Sequence, residues 1–589
     1  MLKMARGGSI HLLTSEAQPG STIRQRDASG RRPAETRGRV RDCAFLMAVV
    51  LVSALPYQFG LGYYCDDWNT RAVLARAESQ GWAAMFHQLL TSDPDMLVRP
   101  GQYIYLVSGF KLFGQNPFPY HAINTLEVGI AAVLLYMALR ALWMKRGVAL
   151  AVATLWTLLP QCSTDRLWIS SQQVSLCMAF AFAGIIALAK WNAMAEQRGG
   201  WRWFAGAVVA MALSLLCYEI SLGIIVAALG TIGWLRFRNA RQEGRSAWKE
   251  LAPVGLGLAV LFAVGMAKAR AQTRMVYHHH FMRLLSHVGR MTQHSLEQAV
   301  NFNLWAYGGR MPHVLRALYS EHAIERAGVA VSVVVGLMVG IYFAVELRDE
   351  KLPGARRGLL LIGAGFALFW LGAGLFLNRV DIEFAITGTD NRVSMAAAIG
   401  AACVVVGLLF AVIAPIKGSF ARTRIFAGLM GLVCGINCLV VSGIAHYWVA
   451  AAARQQAVLS AVKANVPQLP RGSVLLLDGF CRYTGPGAIF ETDWDMTGAL
   501  TLLTGDATLR GDVMSIDLSA GEDAVRATVP DEDERTYLYG TNLYVYNVQT
   551  KRLAEVKDRA SAEEYFRPEN RAGMESCPVG HEGRGAPIF

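Results

Sequence analysis

Tyr63-Tyr64-Cys65-Asp66-Asp67-Trp68 follows the first membrane-length apolar segment, which starts near residue 43, by only a residue or two. Two adjacent carboxylates beside a bilayer surface are costly unless they pair, bind something or do chemistry. The stretch therefore reads as the outer end of a span carrying a candidate functional site. What lies on either side agrees. Of the 589 residues 53% are hydrophobic and only 17% charged, and the apolar residues come in blocks near 20 long, which makes the chain a polytopic membrane protein.

The formal net charge of +12 would fit a nucleic-acid partner, but most of the excess lies in the N-terminal tail and in short loops between spans. That is the positive-inside pattern, and it argues against nucleic acid. Residues 1–41 hold Arg24, Arg26, Arg31, Arg32, Arg37, Arg39 and Arg41 among Gly, Ser and Pro with no apolar period. They read as a disordered basic cytoplasmic tail, and no small-residue cleavage site follows the apolar segment to make it a signal peptide. The ten cysteines show no CxxC or Cys/His metal spacing, and most lie in apolar spans as small buried hydrophobes.

Eleven spans are predicted, starting near residues 43, 119, 148, 173, 203, 221, 251, 327, 358, 394 and 425. The short basic connections Lys145-Arg146, Lys190 to Arg202, Arg236 to Lys249, Arg348 to Arg357 and Lys417 to Arg424 fall on one side, the cytoplasmic one, and an odd number of spans leaves the C-terminus outside. The expected organisation is a transmembrane domain over 42–445, with external loops 62–118 and 268–326, and an external domain over 446–589. Gly101 to Phe113 is too short to span and reads as an interfacial or re-entrant helix. Past His446, Gly472 to Gly479 and Thr536 to Tyr546 read as strands bounded by turn residues, so the external domain is predicted as α/β or β-rich. Its only cysteines, Cys481 and Cys577, are expected to pair in an oxidising compartment.

Further motifs follow the acidic pair in order: Val98-Arg99-Pro100, then Phe113-Gly114-Gln115-Asn116-Pro117, with His121 four residues beyond, then Pro160 to Ser170 containing Asp165-Arg166 and Trp168-Ile169-Ser170, then Tyr218-Glu219 at a span end. As an ordered set over roughly residues 60 to 225 they resemble the membrane glycosyltransferases of the GT-C superfamily, most closely the protein O-mannosyltransferase-like branch. Asp165 stands where the family has Glu, and Tyr218 where it has Lys. The resemblance implies a mainly α, GT-C-like bundle of about eleven spans. It also implies inverting transfer of a sugar from a polyprenyl-phosphate donor to a protein, lipid or glycan acceptor at the external face, in the inner membrane of a bacterium.

Such chemistry needs a carboxylate to take a proton from the acceptor hydroxyl, and cations for the charge growing on the leaving phosphate. By resemblance Asp66 is the base, Asp67 orients it or contacts substrate, and Arg99, Asp165, Arg166 and Glu219 belong to the substrate site. Arg392, opening the tenth span at the outer face, is a candidate for the lipid phosphate. The competing reading of the pair is a helix cap, since Asp favours that position. No cofactor is called for, and a divalent metal is left open. The run His278-His279-His280 does not make a metal site, because consecutive residues on one element do not converge on an ion. Arg270, Arg274, Arg283 and Arg290 form either a phosphate or anionic-lipid surface or a solvated interfacial helix. Two readings from other classes stand beside the enzyme. A transporter would show mid-span charges and inverted repeats, whereas the mid-span segments here are almost free of charge, the acids gather at one membrane face and no internal repeat is seen. An inactive GT-C-like scaffold would not need the intact acidic pair.

Overall fold

The computed structural model describes residues 32–194, 199–273, 292–377, 384, 387–514, 518–527 and 535–567. Each of the eleven predicted segments is helical: Arg32–Ala54, Pro117–Ala141, Arg146–Leu158, Gln172–Ala193, Gly200–Cys217, Leu222–Gln242, Ala247–Thr273, Arg326–Glu346, Ala355–Ala373, Ala398–Ile413 and Ser419–Asn465. Seven are long and apolar enough to cross a membrane, whereas Arg146–Leu158 and Ala398–Ile413 are apolar but shorter. Those two are among the most enclosed helices and are flanked by turns at Pro160–Cys162 and Thr389–Ser394. Irregular backbone is tolerated at membrane depth only where protein buries it, and the surrounding helices supply that cover.

Two boundaries differ from expectation. The first helix is described from Arg32 rather than from residue 42, and Asp42, midway along it, is held by the bundle. The Asp42 carboxylate is fully buried and accepts bonds from Tyr136 Oη (2.5 Å), Tyr342 Oη (2.9 Å) and Arg146 (2.6 Å and 2.8 Å). Arg146 also pairs with Glu346 at 2.8 Å. At the other end of the chain, the 47-residue helix Ser419–Asn465 runs straight through residue 446. At 1.5 Å per residue it is about 70 Å long, more than twice an apolar bilayer core, so its second half stands clear as a post for the C-terminal domain. Glycines let its first half meet Arg326–Glu346 backbone to backbone: a Cβ on Gly431 would lie 2.5 Å from the Gly336 carbonyl oxygen.

The loop over 62–118 is itself folded. Helices Asp66–Ala77, Trp82–Ser92 and Pro100–Phe113 enclose a small core that includes Val73, Leu74, Met85, Leu89, Leu106 and Phe110. The predicted short helix at Gly101–Phe113 is thus present, with Leu106, Val107 and Phe110 packed on its neighbours and Ile104 and Leu112 exposed.

The C-terminal domain is mixed α/β. Strand Val474–Asp478 lies between parallel partners Arg510–Val513 and Leu543–Asn547, and Arg552–Glu555 pairs antiparallel with the latter. The predicted strand at Thr536 to Tyr546 is two strands in different sheets, broken where Gly540 and Asn542 take positive φ (77° and 54°). Parallel strands need a crossover, and helix Asp493–Thr504 provides it. Cys481 is disulfide-bonded, the eight other described cysteines are free, and Cys577 lies outside the described residues.

The crossover helix packs on Asp66–Ala77, and Gly498 is the point of closest approach. A Cβ there would lie 2.6 Å from both Asn69 N and Trp68 C. Backbone cannot rotate out of the way, so Gly498→Ala is expected to push the helices apart and destabilise the protein by about 1–3 kcal/mol, the usual range for overpacking. Thermal unfolding of the purified variant checks this, and an unchanged midpoint would refute the contact.

Candidate active site

The geometry begins at Cys65, which holds φ 47° and ψ −123° at the N-terminus of helix Asp66–Ala77. A positive φ on a non-glycine residue is uncommon and persists only where the surroundings over-determine it. Those surroundings are visible. Tyr64 is completely buried, donates its hydroxyl to the Trp448 carbonyl at 2.7 Å, and accepts at its own carbonyl from Trp168 Nε1 at 3.0 Å. The turn after it parts the two carboxylates. Asp67 is 1% exposed, and its Oδ1 accepts from Ser170 N (3.0 Å) and Ser170 Oγ (2.6 Å) while Oδ2 accepts from Tyr64 N (3.1 Å). Burial pushes its carboxyl up to about 7, against the Ser170 and Tyr64 bonds and nearby Arg71, which hold it down. Asp66 is only partly buried and looks into a cavity.

That cavity, of about 330 Å³, collects groups from five separate stretches: Asp66, Arg99, Trp168, Arg392 and Trp494, with hydroxyl and amide groups such as Thr70 and Gln173 between them. Arg99 is held because Pro100 occupies the first turn of the next helix and bars a helical residue before it. Its guanidinium lies 4.5 Å from the centre of the Tyr218 ring. Arg392 comes from the turn Thr389–Ser394 and lies 5.1 Å from the Trp168 ring centre. Two partly buried carboxylates, Asp66 and Asp93, and two guanidinium groups therefore share one space. A carboxylate can accept a proton, and the guanidinium groups suit a phosphate.

Four of the seven predicted site residues thus gather here: Asp66, Arg99 and Arg392 line the cavity, and Asp67 braces it through Ser170, itself a lining residue. Asp165, Arg166 and Glu219 do not line it, and each has partners within the protein. Asp165 is fully buried and accepts from Ser171 Oγ at 2.5 Å, with burial driving its carboxyl well above the ordinary carboxylate range. Arg166 is 4% exposed and donates to Ser53 Oγ and Tyr57 Oη, both at 3.1 Å, and to the Thr157 carbonyl at 2.5 Å, tying three segments together. Glu219 is ion-paired with Lys268 at 2.5 Å, next to the Tyr218 ring that backs Arg99. The helix-capping reading of the pair also fails in its simple form, since no side chain caps helix Asp66–Ala77.

The element from Phe113 to His121 is a clamp. Asn116 Oδ1 accepts from Phe118 N at 3.1 Å to start the Pro117–Ala141 helix. His121 Nε2 bonds the Gly62 carbonyl at 2.8 Å, Asn124 Nδ2 donates to the Asp165 carbonyl at 2.8 Å, and Arg71 donates to the Tyr120 hydroxyl. These contacts pin the segments on both sides of Asp66 without entering the cavity. Trp494 was not anticipated; only the fold brings it to Asp66, and nothing local in the sequence marks it. Of the basic loop, Arg270 ends a helix, while Arg274, Arg283, Arg290 and the histidines 278–280 lie outside the described residues. Among the described residues no group of three or more His, Cys, Asp or Glu is placed to hold a metal ion. A larger groove of about 590 Å³ between Arg326–Glu346 and Ser419–Asn465 is lined by aliphatic side chains and glycines with Arg424 at one end, and holds no acid.

No protein-family model and no curated protein matches the sequence. The chain is similar in overall arrangement to the crystal structure of ArnT from Cupriavidus metallidurans in the apo state, at 14% identity and a TM-score of 0.34, over 82% of this chain and 86% of that one. It is similar in the same way to ArnT from that organism bound to undecaprenyl phosphate, at 14% identity and a TM-score of 0.32, over 80% of this chain and 89% of that one.

Proposed function

We propose that the chain is a GT-C-like membrane glycosyltransferase that moves a sugar from a polyprenyl-phosphate donor to a hydroxyl of a protein, lipid or glycan acceptor at the external membrane face, with inversion. The observation that supports this most directly is the cavity itself, where Asp66 faces Arg99 and Arg392 beside the folded external loop. In this reading Asp66 takes the proton from the acceptor hydroxyl as its oxygen attacks the anomeric carbon. The bond from that carbon to the phosphate oxygen breaks, and the electron pair leaves with the polyprenyl phosphate. Arg99 and Arg392 stabilise the charge gathering there. The Tyr218 and Trp168 rings lie against the Arg99 and Arg392 guanidinium groups and help to position them.

The testing experiment supplies purified protein with radiolabelled polyprenyl-phosphate hexoses and membrane extract as acceptor. Label moving from the lipid to an acceptor fraction is the expected result, and no transfer from any donor would overturn the proposal. Topology offers a second test. Reporter fusions after Arg202, Lys249 and Arg424 are expected to report cytoplasm, and fusions after Ser92, Arg310 and the C-terminus the external side. A cytoplasmic C-terminus would place the site on the wrong face, because the crossover helix of the C-terminal domain packs against helix Asp66–Ala77.

A further inference from the structure

Trp494 is half-exposed, at 47%, yet its indole N–H is directed at a carboxylate: Nε1 donates to Asp66 Oδ1 at 3.2 Å. An exposed tryptophan usually leaves that group to water. Here its backbone is held from three sides. Gly498, one turn along the same helix, seats that helix on the backbone of Trp68 and Asn69. Asp495, next in sequence, is fully buried and accepts from Glu491 N at 2.6 Å and Thr492 N at 3.1 Å, which secures the first turn. Glu491 in turn accepts from Tyr483 Oη at 2.8 Å. The segment Glu491–Asp495 is thus clamped at the mouth of the cavity, with only the indole left reaching across to Asp66.

We propose that Trp494 is a positioning residue for the Asp66 carboxylate, so that the C-terminal domain completes the site built by the membrane domain. This rests on the glycosyltransferase reading above. With Oδ1 occupied by the indole, the carboxylate rotor is locked and Oδ2 is the oxygen turned to the acceptor hydroxyl. Freed of that bond, the carboxylate samples other rotamers, and misplacement of a reacting group by about an ångström lowers rates by about 10²-fold in well-studied enzymes. A loss confined to orientation lowers kcat and leaves substrate binding alone.

The test replaces Trp494 by β-(3-benzothienyl)alanine, which keeps the shape and apolar surface of the indole and puts sulfur in place of the N–H, and compares it with Trp494→Phe. Both are expected to lower kcat by about 10-fold or more with donor KM within about twofold of wild type and unchanged thermal unfolding. In an Asp66→Asn background neither replacement is expected to lower the residual rate further. Wild-type kcat in the benzothienyl protein would overturn the inference while leaving the glycosyltransferase reading intact. A raised KM with unchanged kcat would overturn it too, by making Trp494 a binding surface. A wild-type protein that transfers no sugar from any polyprenyl-phosphate donor would overturn both.

Discussion

Asp66→Asn is expected to lower sugar transfer by about 10²-fold or more while the protein stays folded and still binds its lipid donor. Asn matches Asp in size and keeps an oxygen for the Trp494 N–H, so the packing between helix Asp66–Ala77 and the crossover helix is preserved. What it loses is the capacity to take a proton. General-base catalysis contributes about 10²- to 10⁴-fold, and the rate at matched membrane expression should fall by at least that much. The alternative role makes a different forecast. Were Asp66 only part of a helix start, Asn would serve as well, and Asp66→Ala would lower stability by the roughly 1 kcal/mol of a lost cap. The absence of any side-chain cap on this helix weighs against that outcome. Activity of the Asn variant within a few-fold of wild type would remove Asp66 from the catalytic role.

The neighbouring substitution should behave in the opposite way. Both oxygens of Asp67 accept from backbone N–H groups, Ser170 N on one and Tyr64 N on the other. Whichever way an Asn amide is turned, its NH₂ meets one of those donors and leaves it unsatisfied in a fully buried setting. Asp67→Asn is therefore expected to destabilise the fold by about 1–3 kcal/mol. Activity should fall as well, since Ser170 lines the cavity and loses its anchor. Ser170→Ala removes only the hydroxyl bond and should cost less than Asp67→Asn in the same unfolding measurement. An Asp67→Asn protein as stable as wild type would show that the buried carboxylate does not hold the loop. The two expected effects thus differ in kind, chemistry at one position and stability at the next.

The contrast between these two residues shows how far local sequence reaches. Runs of about 20 apolar residues declare their own burial, so all eleven helices were legible before any coordinates, as was the short helix ahead of Phe113. Arg99 was singled out by the family resemblance, and the proline after it restricts its backbone whatever the context. Length limits were less readable. Nothing local stops helix Ser419–Asn465 where the membrane ends, and only the packing of the C-terminal domain against its second half explains why it continues.

Which of two adjacent acids faces solvent is also beyond a linear reading, since consecutive residues on a helix point about 100° apart and the bundle decides which direction is inward. The same holds for Asp165, Arg166 and Glu219, whose partners Ser171, Tyr57 and Lys268 turn charged side chains into braces within the protein. Trp494 is the extreme case, lying 428 residues from the Asp66 carboxylate it touches. Hydrophobic patterning is a property of short windows and sets where helices form. The site depends on contacts between windows, and those exist only once the crossover helix has seated Gly498 on the backbone of Trp68 and Asn69.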